Sequence, residues 1–272
     1  MLKEEDGLGS PTRDMSESPP QWVEPREEGE AKLAIDFIPA SEKYSRLWFF
    51  LHGLHSNRRG EKALYFARQV ARRGEAFASL DLTGHGDSEG DLLGLSLTRN
   101  LVDLDRGLEF IEKKAGPFRS LCLIGSSMGG LTALWFAARS PARITRNIVI
   151  APAFEMAGRL LLSLGRTKAQ EWRRLGRIRI DSPYGSFDLG YQFVEEETRY
   201  PTVSLMRRLA TPSLILHGSD DEVVPCQLSR QFADRLEHVE LVEIRGGDHR
   251  LTAHKELLFE EMWKFVGPVP ES

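Results

Sequence analysis

The sequence predicts an α/β protein, a mostly parallel central sheet with helices on both faces. Three observations carry that prediction. Strand-like apolar runs alternate with helical patterns along most of residues 31–267, the rhythm of a parallel sheet with crossover helices. RLWFFLHG (46–53) is one continuous apolar run ending in glycine, as a strand buried on both faces is. The 272 residues, 41% apolar and 28% charged, suffice for one large core without metals or disulfides.

The elements follow in order. AKLAIDFIP (31–39) alternates and reads as a strand, followed by the strand at 46–53. Residues 60–74 carry Leu64, Phe66, Ala67, Val70 and Ala71 at helical spacing, with Gly74 as the stop. EAFASLDLTG (75–84) is a strand, 97–116 a long amphipathic helix, RSLCLIGS (119–126) a strand and 128–141 a helix ended by proline. RNIVIAPA (146–153) is a further strand. The rhythm then breaks. Residues 154–205 hold a helix-like piece at 156–165 and alternation at 177–193 around Ser182-Pro183-Tyr184-Gly185, which reads as an inserted cap with a β-hairpin. The α/β rhythm resumes with a strand at 211–218, a helix at 226–236, a strand at 239–246 and a closing helix at 252–267. The expected organisation is an acidic disordered tail at 1–28, a core made of 29–153 and 206–272, and the cap at 154–205.

The net charge of −4 is uneven, with nine acids and three bases in residues 1–30. No concentrated basic face points to nucleic acid. The one basic cluster, Arg173, Arg174, Arg177 and Arg179, reads as an exposed face of the cap, the alternative being attraction of a carboxylated substrate or a CoA thioester. Cys122 and Cys226 make neither a disulfide framework nor a zinc site. No apolar stretch reaches the ~18 residues of a membrane span, and residues 1–15 lack the apolar run of a signal peptide. The expectation is a cytoplasmic protein that needs no metal or organic cofactor, does not insert into membranes and acts on a small molecule. Nothing in the sequence fixes its oligomeric state.

The chemistry-bearing residues fall at strand ends, where an open α/β sheet places its ligands. Gly125-Ser126-Ser127-Met128-Gly129 is a G-x-S-x-G between a strand and a helix. Ser127 there stands on a sharp turn, and the helix presents the Met128 N–H to a developing oxyanion. A serine hydroxyl needs a base. His249, between the last strand and the last helix, is that base. The base needs an acid to orient it. Asp220 and Asp221 both follow a buried strand and lie between serine and histidine in the chain, so the spacing leaves either as the acid. The second oxyanion donor is the Leu54 N–H, just after RLWFFLHG, with His52 turning that loop from beneath. Asp81-Leu82-Thr83-Gly84-His85-Gly86 reads as a tight loop buttressing the nucleophile turn. Tyr184, Phe187, Tyr191 and Phe193 in the hairpin are either ordinary packing or an aromatic pocket wall.

These motifs resemble the serine-nucleophile branch of the α/β-hydrolase superfamily. The matches are HG at 52–53, D-x-x-G-H-G-x-S at 81–88, G-S-S-M-G-G at 125–130, H-G-x-x-D-x-x-V-P at 217–225 and G-D-H at 247–249. They span residues 46–267 in the expected order. Aligned on H-G-x-x-D, the resemblance places the acid on Asp221. A serine at the elbow is unlike the aspartate-nucleophile dehalogenases and epoxide hydrolases. The insertion after residue 151 is similar to the cap of small cinnamoyl and feruloyl esterases. Monoacylglycerol lipases share the GHG-x-S loop but carry a more apolar lid. The resemblance implies an α/β-hydrolase fold and hydrolysis of carboxylic esters of small to medium acyl groups, aromatic ones included. Its alternatives are an acyl thioesterase, a deacylase or a monoacylglycerol lipase. A hydrolase-fold binding protein without turnover would show a broken triad, and here all three residues are present.

Overall fold

The computed structural model describes residues 15, 18–41, 46–182 and 185–268. Eight strands form one sheet: β1 (Gln21–Val23), β2 (Leu33–Ile38), β3 (Arg46–Leu51), β4 (Ala76–Leu80), β5 (Ser120–Ser126), β6 (Arg146–Ile150), β9 (Ser213–Gly218) and β10 (Val239–Ile244). Their spatial order is β1-β2-β4-β3-β5-β6-β9-β10. β2 runs antiparallel to β1 and β4, and every other pairing is parallel. Between these strands come α1 (Glu61–Ala71), α2 (Leu97–Ala115), α3 (Met128–Arg139), α7 (Cys226–Ala233) and, at the end, α8 (Lys255–Val266).

The two faces of the sheet feed two apolar clusters. Alternation along β3 shows why: Leu47, Phe49 and Leu51 join one cluster, Trp48 and Phe50 the other. The first cluster takes Leu101, Leu104 and Leu108 of α2, much of α3, and Phe232 of α7. The second takes Phe66 and Val70 of α1 with Phe259 and Met262 of α8. Burial on both faces makes this strand apolar from Leu47 to Leu51, because no position on it faces water.

Between β6 and β9 lie α4 (Met156–Leu175), a two-stranded hairpin β7 (Arg177–Ser182) and β8 (Gly185–Gly190), then α5 (Gln192–Glu197) and α6 (Thr202–Arg208). The hairpin is a separate antiparallel sheet. The helix expected over 156–165 continues to Leu175, with Gly165 at φ 73° breaking its geometry. Periodicity missed the second half because residues 166–175 are mostly charged or polar and bury only Trp172. α5 and α6 were not expected; they span six and seven residues, too short for an apolar stripe. α6 runs across the expected boundary at 205/206.

One correction concerns the N-terminal segment. Residues 21–23, expected within a disordered tail, form β1 against β2, with Val23 buried. Three residues leave no readable period, and it is the pairing with β2 that makes them a strand. Residues 1–14, 16 and 17 of the expected tail, and Pro183 and Tyr184 of the expected turn, lie outside the described residues. Among the described residues no helix is long and apolar enough to cross a membrane.

Candidate active site

Parallel strands bring the ends of β3, β5, β9 and β10 to one edge of the sheet. β5 passes into α3 through Ser127, which adopts φ 52° and ψ −114°. Such a conformation in a non-glycine residue costs about 1–3 kcal/mol and is held by its neighbours. The Ser127 N–H donates to the Ile150 carbonyl at 2.8 Å, and the Ala153 N–H donates to the Ser127 carbonyl at 3.1 Å. The flanking glycines are steric requirements. A Cβ on Gly125 would strike the Gly129 carbonyl, and one on Gly129 would strike the carbonyls of Leu51 and His52.

β9 and β10 pair from Ser213↔Val239 to Gly218↔Ile244. The loops beyond them are cross-tied. The Ser219 N–H donates to the Ile244 carbonyl at 2.9 Å, the Gly246 N–H to Ser219 Oγ at 2.9 Å and the Asp220 N–H to the Gly247 carbonyl at 3.0 Å. This brings Asp221 and His249 together: His249 Nδ1 lies 2.7 Å from Asp221 Oδ2 and its Nε2 lies 3.0 Å from Ser127 Oγ. An ionised carboxylate only accepts. His249 therefore donates from Nδ1 and accepts the Ser127 hydroxyl at Nε2.

Between the two candidate acids the geometry is unequal. Asp220 is exposed and accepts from Ser219 Oγ at 2.7 Å. Asp221 is buried, and its Oδ1 accepts the Val223 and Val224 amides at 2.8 Å each. Its Oδ2 also faces His217 Nε2 at 3.0 Å, while His217 Nδ1 meets Ser229 Oγ at 2.7 Å. With the Ser229 hydroxyl donating to Nδ1, His217 carries its proton on Nε2, aimed at Asp221. Burial alone would raise the Asp221 carboxyl. The bonds from His217, His249 and the Val224 amide outweigh it and hold the carboxyl below the ordinary aspartate range. The sequence does not single out His217 as a partner of the acid; its position four residues before Asp221 is the signal that could have found it.

The loop after β3 is fixed from below. The Leu82 N–H donates to His52 Nε2 at 3.1 Å, so His52 carries its proton on Nδ1, 2.8 Å from the Gly53 carbonyl. The His85 ring lies 4.8 Å from that of His52. Burial keeps both rings neutral: His52 falls to about 4, and His85, lowered further by His52, to about 3. Asp81 accepts from the Arg58 guanidinium and, at 2.9 Å, from the Asp87 N–H. The 81–86 loop thus bears on the turn 52–54 rather than on the nucleophile turn itself. That turn abuts the serine: a Cβ on Gly53 would lie 3.2 Å from Ser127 Cβ. The Met128 N–H belongs to the first turn of α3, whose amides lack intrahelical partners.

Two cavities flank this arrangement. One, about 320 Å³, is bounded by Met128, Leu131, Leu95, Leu97, Met156 and Phe193, among others. It lies within the ~300–1,000 Å³ of small-molecule sites. The other, about 420 Å³, has the more polar wall of the two and includes Ser127, Leu54, His249, Lys62, Asp248 and Arg250. Lys62, not anticipated from sequence, donates to the Arg250 carbonyl. Burial first and Arg250 second push its ammonium down to about 8. Of the hairpin aromatics, Phe193 lines the apolar cavity, Phe187 stacks on His55 at 5.1 Å and Tyr191 packs edge-on to Trp172 at 5.5 Å.

Fold and site together define the class. Residues 43–184 match the model of the serine aminopeptidase family S33. The chain belongs to that family and is a serine hydrolase of the α/β-hydrolase superfamily. Among curated proteins it is 30% identical over 207 residues to the mitochondrial palmitoyl-protein thioesterase ABHD10 of Rattus norvegicus, covering 74% of this chain and 68% of the relative. The structure of mouse alpha/beta hydrolase domain-containing protein 10 superposes with a TM-score of 0.76 at 26% identity, covering 92% of this chain and 98% of that one. Est1E from Butyrivibrio proteoclasticus, solved with ferulic acid bound, gives 0.76 at 22% identity over 90% of this chain and 99% of its own. At that identity it shows the fold alone.

Proposed function

We propose that the chain hydrolyses carboxylic esters of small to medium acyl groups through Ser127, His249 and Asp221. The observation that carries this reading is the continuous chain of contacts, Ser127 Oγ to His249 Nε2 at 3.0 Å and His249 Nδ1 to Asp221 Oδ2 at 2.7 Å, beside an apolar cavity bounded by Met128. The Ser127 hydroxyl attacks the acyl carbon while His249 takes its proton. Charge builds on the carbonyl oxygen, which the Leu54 and Met128 amides stabilise. His249 then gives the proton to the leaving oxygen, and the acyl group remains esterified to Ser127. Water attacks this acyl-enzyme with His249 again as base, releasing the acid and restoring the serine. The acyl group occupies the apolar cavity and the leaving group exits through the polar one. Segment 154–205 acts as the cap, since Phe193 and α6 close one wall of the apolar cavity.

A second reading, acyl thioester hydrolysis, is favoured by the similarity to the rat palmitoyl-protein thioesterase. The same steps serve, with a thiol leaving. The two buried free cysteines support a reducing compartment, taken here as the cytoplasm; fractionation of cells expressing the full chain tests this.

The functional test is labelling by a fluorophosphonate, with turnover of matched p-nitrophenyl esters and acyl thioesters from two to sixteen carbons. Wild type is labelled and Ser127→Ala is not, and kcat falls at least ~10⁴-fold in the variant. Equal labelling of both would refute the serine assignment. A thioester preference across all chain lengths would replace the first reading by the second.

A further inference from the structure

A third cavity, of about 370 Å³, is bounded by Trp135, Arg139, Arg199, Tyr200, Ser204 and Arg208. It shares Tyr200 with the apolar cavity and no residue with the cavity beside His249. Arg139 ends α3, which begins at Met128, so about 17 Å of helix separates it from the nucleophile turn.

Three elements bring three guanidinium groups to this place. Arg139 comes from the end of α3, Arg199 from the turn after α5 and Arg208 from the end of α6. None of the residues that bound the cavity is a carboxylate. Arg199 donates to Glu196 Oε1 at 2.8 Å, and its side chain remains 71% exposed. Arg139 and Arg208 are exposed, and among the described residues neither makes an ion pair or a side-chain hydrogen bond. A cation in the last turn of a helix complements the helix dipole, which accounts for Arg139 and Arg208 one at a time. It does not account for their convergence with Arg199 in a chain whose net charge is −4. Like charges around one concavity repel each other and focus a positive potential into it. Trp135, buried and edge-on to Tyr200 at 5.1 Å, adds an aromatic wall.

We propose that this cavity binds the phosphate group of a small phosphomonoester, at a site separate from the serine centre. The donor set selects the anion. One guanidinium engages two oxygens in a plane, so a carboxylate is satisfied by a single arginine. A phosphomonoester offers three terminal oxygens and close to two charges, enough for three arginines. The volume and the wall select the rest. The cavity falls within the range of small-molecule sites, and the aromatic pair suits an organic group esterified to the phosphate. None of this depends on the ester or thioester reading of Ser127.

The test is calorimetric titration of the full chain at about pH 7.5, where the phosphate is dianionic, with phenyl phosphate, inorganic phosphate and benzoate as probes. Phenyl phosphate binds saturably with a Kd of about 1 mM or below, and the other two bind at least about fivefold more weakly. Arg139→Gln and Arg208→Gln each weaken phenyl phosphate by roughly tenfold, with melting curves reporting that both variants are folded. Arg174→Gln, at an exposed arginine outside the cavity, leaves the Kd within about twofold. No saturable binding of phenyl phosphate, or a Kd unmoved in both cavity variants, overturns the site. An equal loss in Arg174→Gln also overturns it, by reducing the binding to general charge attraction. Benzoate as tight as phenyl phosphate overturns the assignment of phosphate. Inorganic phosphate as tight as phenyl phosphate overturns the organic ester and leaves free phosphate as the ligand.

Discussion

The carboxyl edge of the sheet and segment 154–205 are held in opposite ways. Along the edge each turn is tied to the next. Asp221 gathers four hydrogen bonds, His52 binds the turn 52–54 to Leu82, and Ser127 is wedged between Gly53 and the start of α3. The inserted segment is anchored mainly from its inner side, by buried Trp172, Leu189 and Leu205, the bonds of Glu196 and Tyr200 to Thr98 and the stacking of Phe187 on His55. Leu162 and Leu175 on α4 remain 83% and 52% exposed. Regions with fewer buried contacts open at lower free energy. The difference separates two placements: the tied edge holds Ser127, His249 and Asp221 in contact, and the inserted segment supplies one wall of the apolar cavity.

The largest effect expected at the edge, after loss of the serine itself, is that of Asp221→Asn. The neutral amide no longer fixes the His249 tautomer, and kcat falls about 10⁴-fold. Asp220→Asn, in the neighbouring exposed residue, changes kcat less than about twofold. Steady-state kinetics on one p-nitrophenyl ester separates the two; equal losses would mean that the edge does not distinguish these carboxylates.

A smaller effect is expected in the insertion. Trp172 is fully buried, and its Nε1–H donates to the Leu189 carbonyl at 3.0 Å, tying α4 to the hairpin. Trp172→Ala removes about 3–5 kcal/mol of local packing. Hydrogen exchange then accelerates across 156–197 while β3, β5 and β9 keep their protection, and KM rises more than kcat falls. Uniform acceleration across the sheet would show that the two regions unfold as one unit.

The contrast also explains what the sequence made legible. The strands of the core announce themselves because burial on both faces demands apolar residues, and Gly125 and Gly129 are required by backbone approach that no other residue permits. Ser127, His249 and the Asp220–Asp221 pair fall at strand ends, so chain order alone places them on one edge. The insertion gave weaker signals. α5 and α6 are too short to show a stripe, and β1 depends on pairing with β2. Lys62 looks like an ordinary polar position on an amphipathic helix. Only the three-dimensional cavity shows that it lines the site.

The edge should carry an acid sensitivity that the insertion lacks, for residues 154–205 contain no histidine. His52 titrates at about 4 in the folded chain, driven down by burial, against ~6.5 when unfolded. Its folded pKa is lowered, so its stabilising contribution is complete above pH ~6.5. Below that the unfolded chain takes up a proton that the folded chain refuses, and stability falls until about pH 4, by roughly 3 kcal/mol. His85, at about 3, adds to the same slope. Urea midpoints at pH 7.5 and 5 measure it, and His52→Gln flattens the dependence. An unchanged slope would place the acid sensitivity elsewhere.

The smallest effect is expected at the arginines of the insertion. Arg173, Arg174, Arg177 and Arg179 are all exposed. Arg179 pairs with Asp188 at 3.4 Å, with side chains 60% and 46% exposed. Such surface pairs contribute about 0–1 kcal/mol, and at physiological salt an exposed charge is felt over only ~8 Å. Replacing all four by alanine should therefore shift the melting temperature by only a few degrees and leave kcat/KM for a neutral ester within about twofold. The sharper measurement is kcat/KM for an acyl-CoA, whose leaving group carries phosphates, at two salt concentrations. If the arginines form only a solvated face, the quadruple variant and wild type share one salt dependence. A steeper dependence in wild type would give the insertion an electrostatic part in capturing substrate, and the division of labour between edge and insertion would then extend from cavity shape to charge.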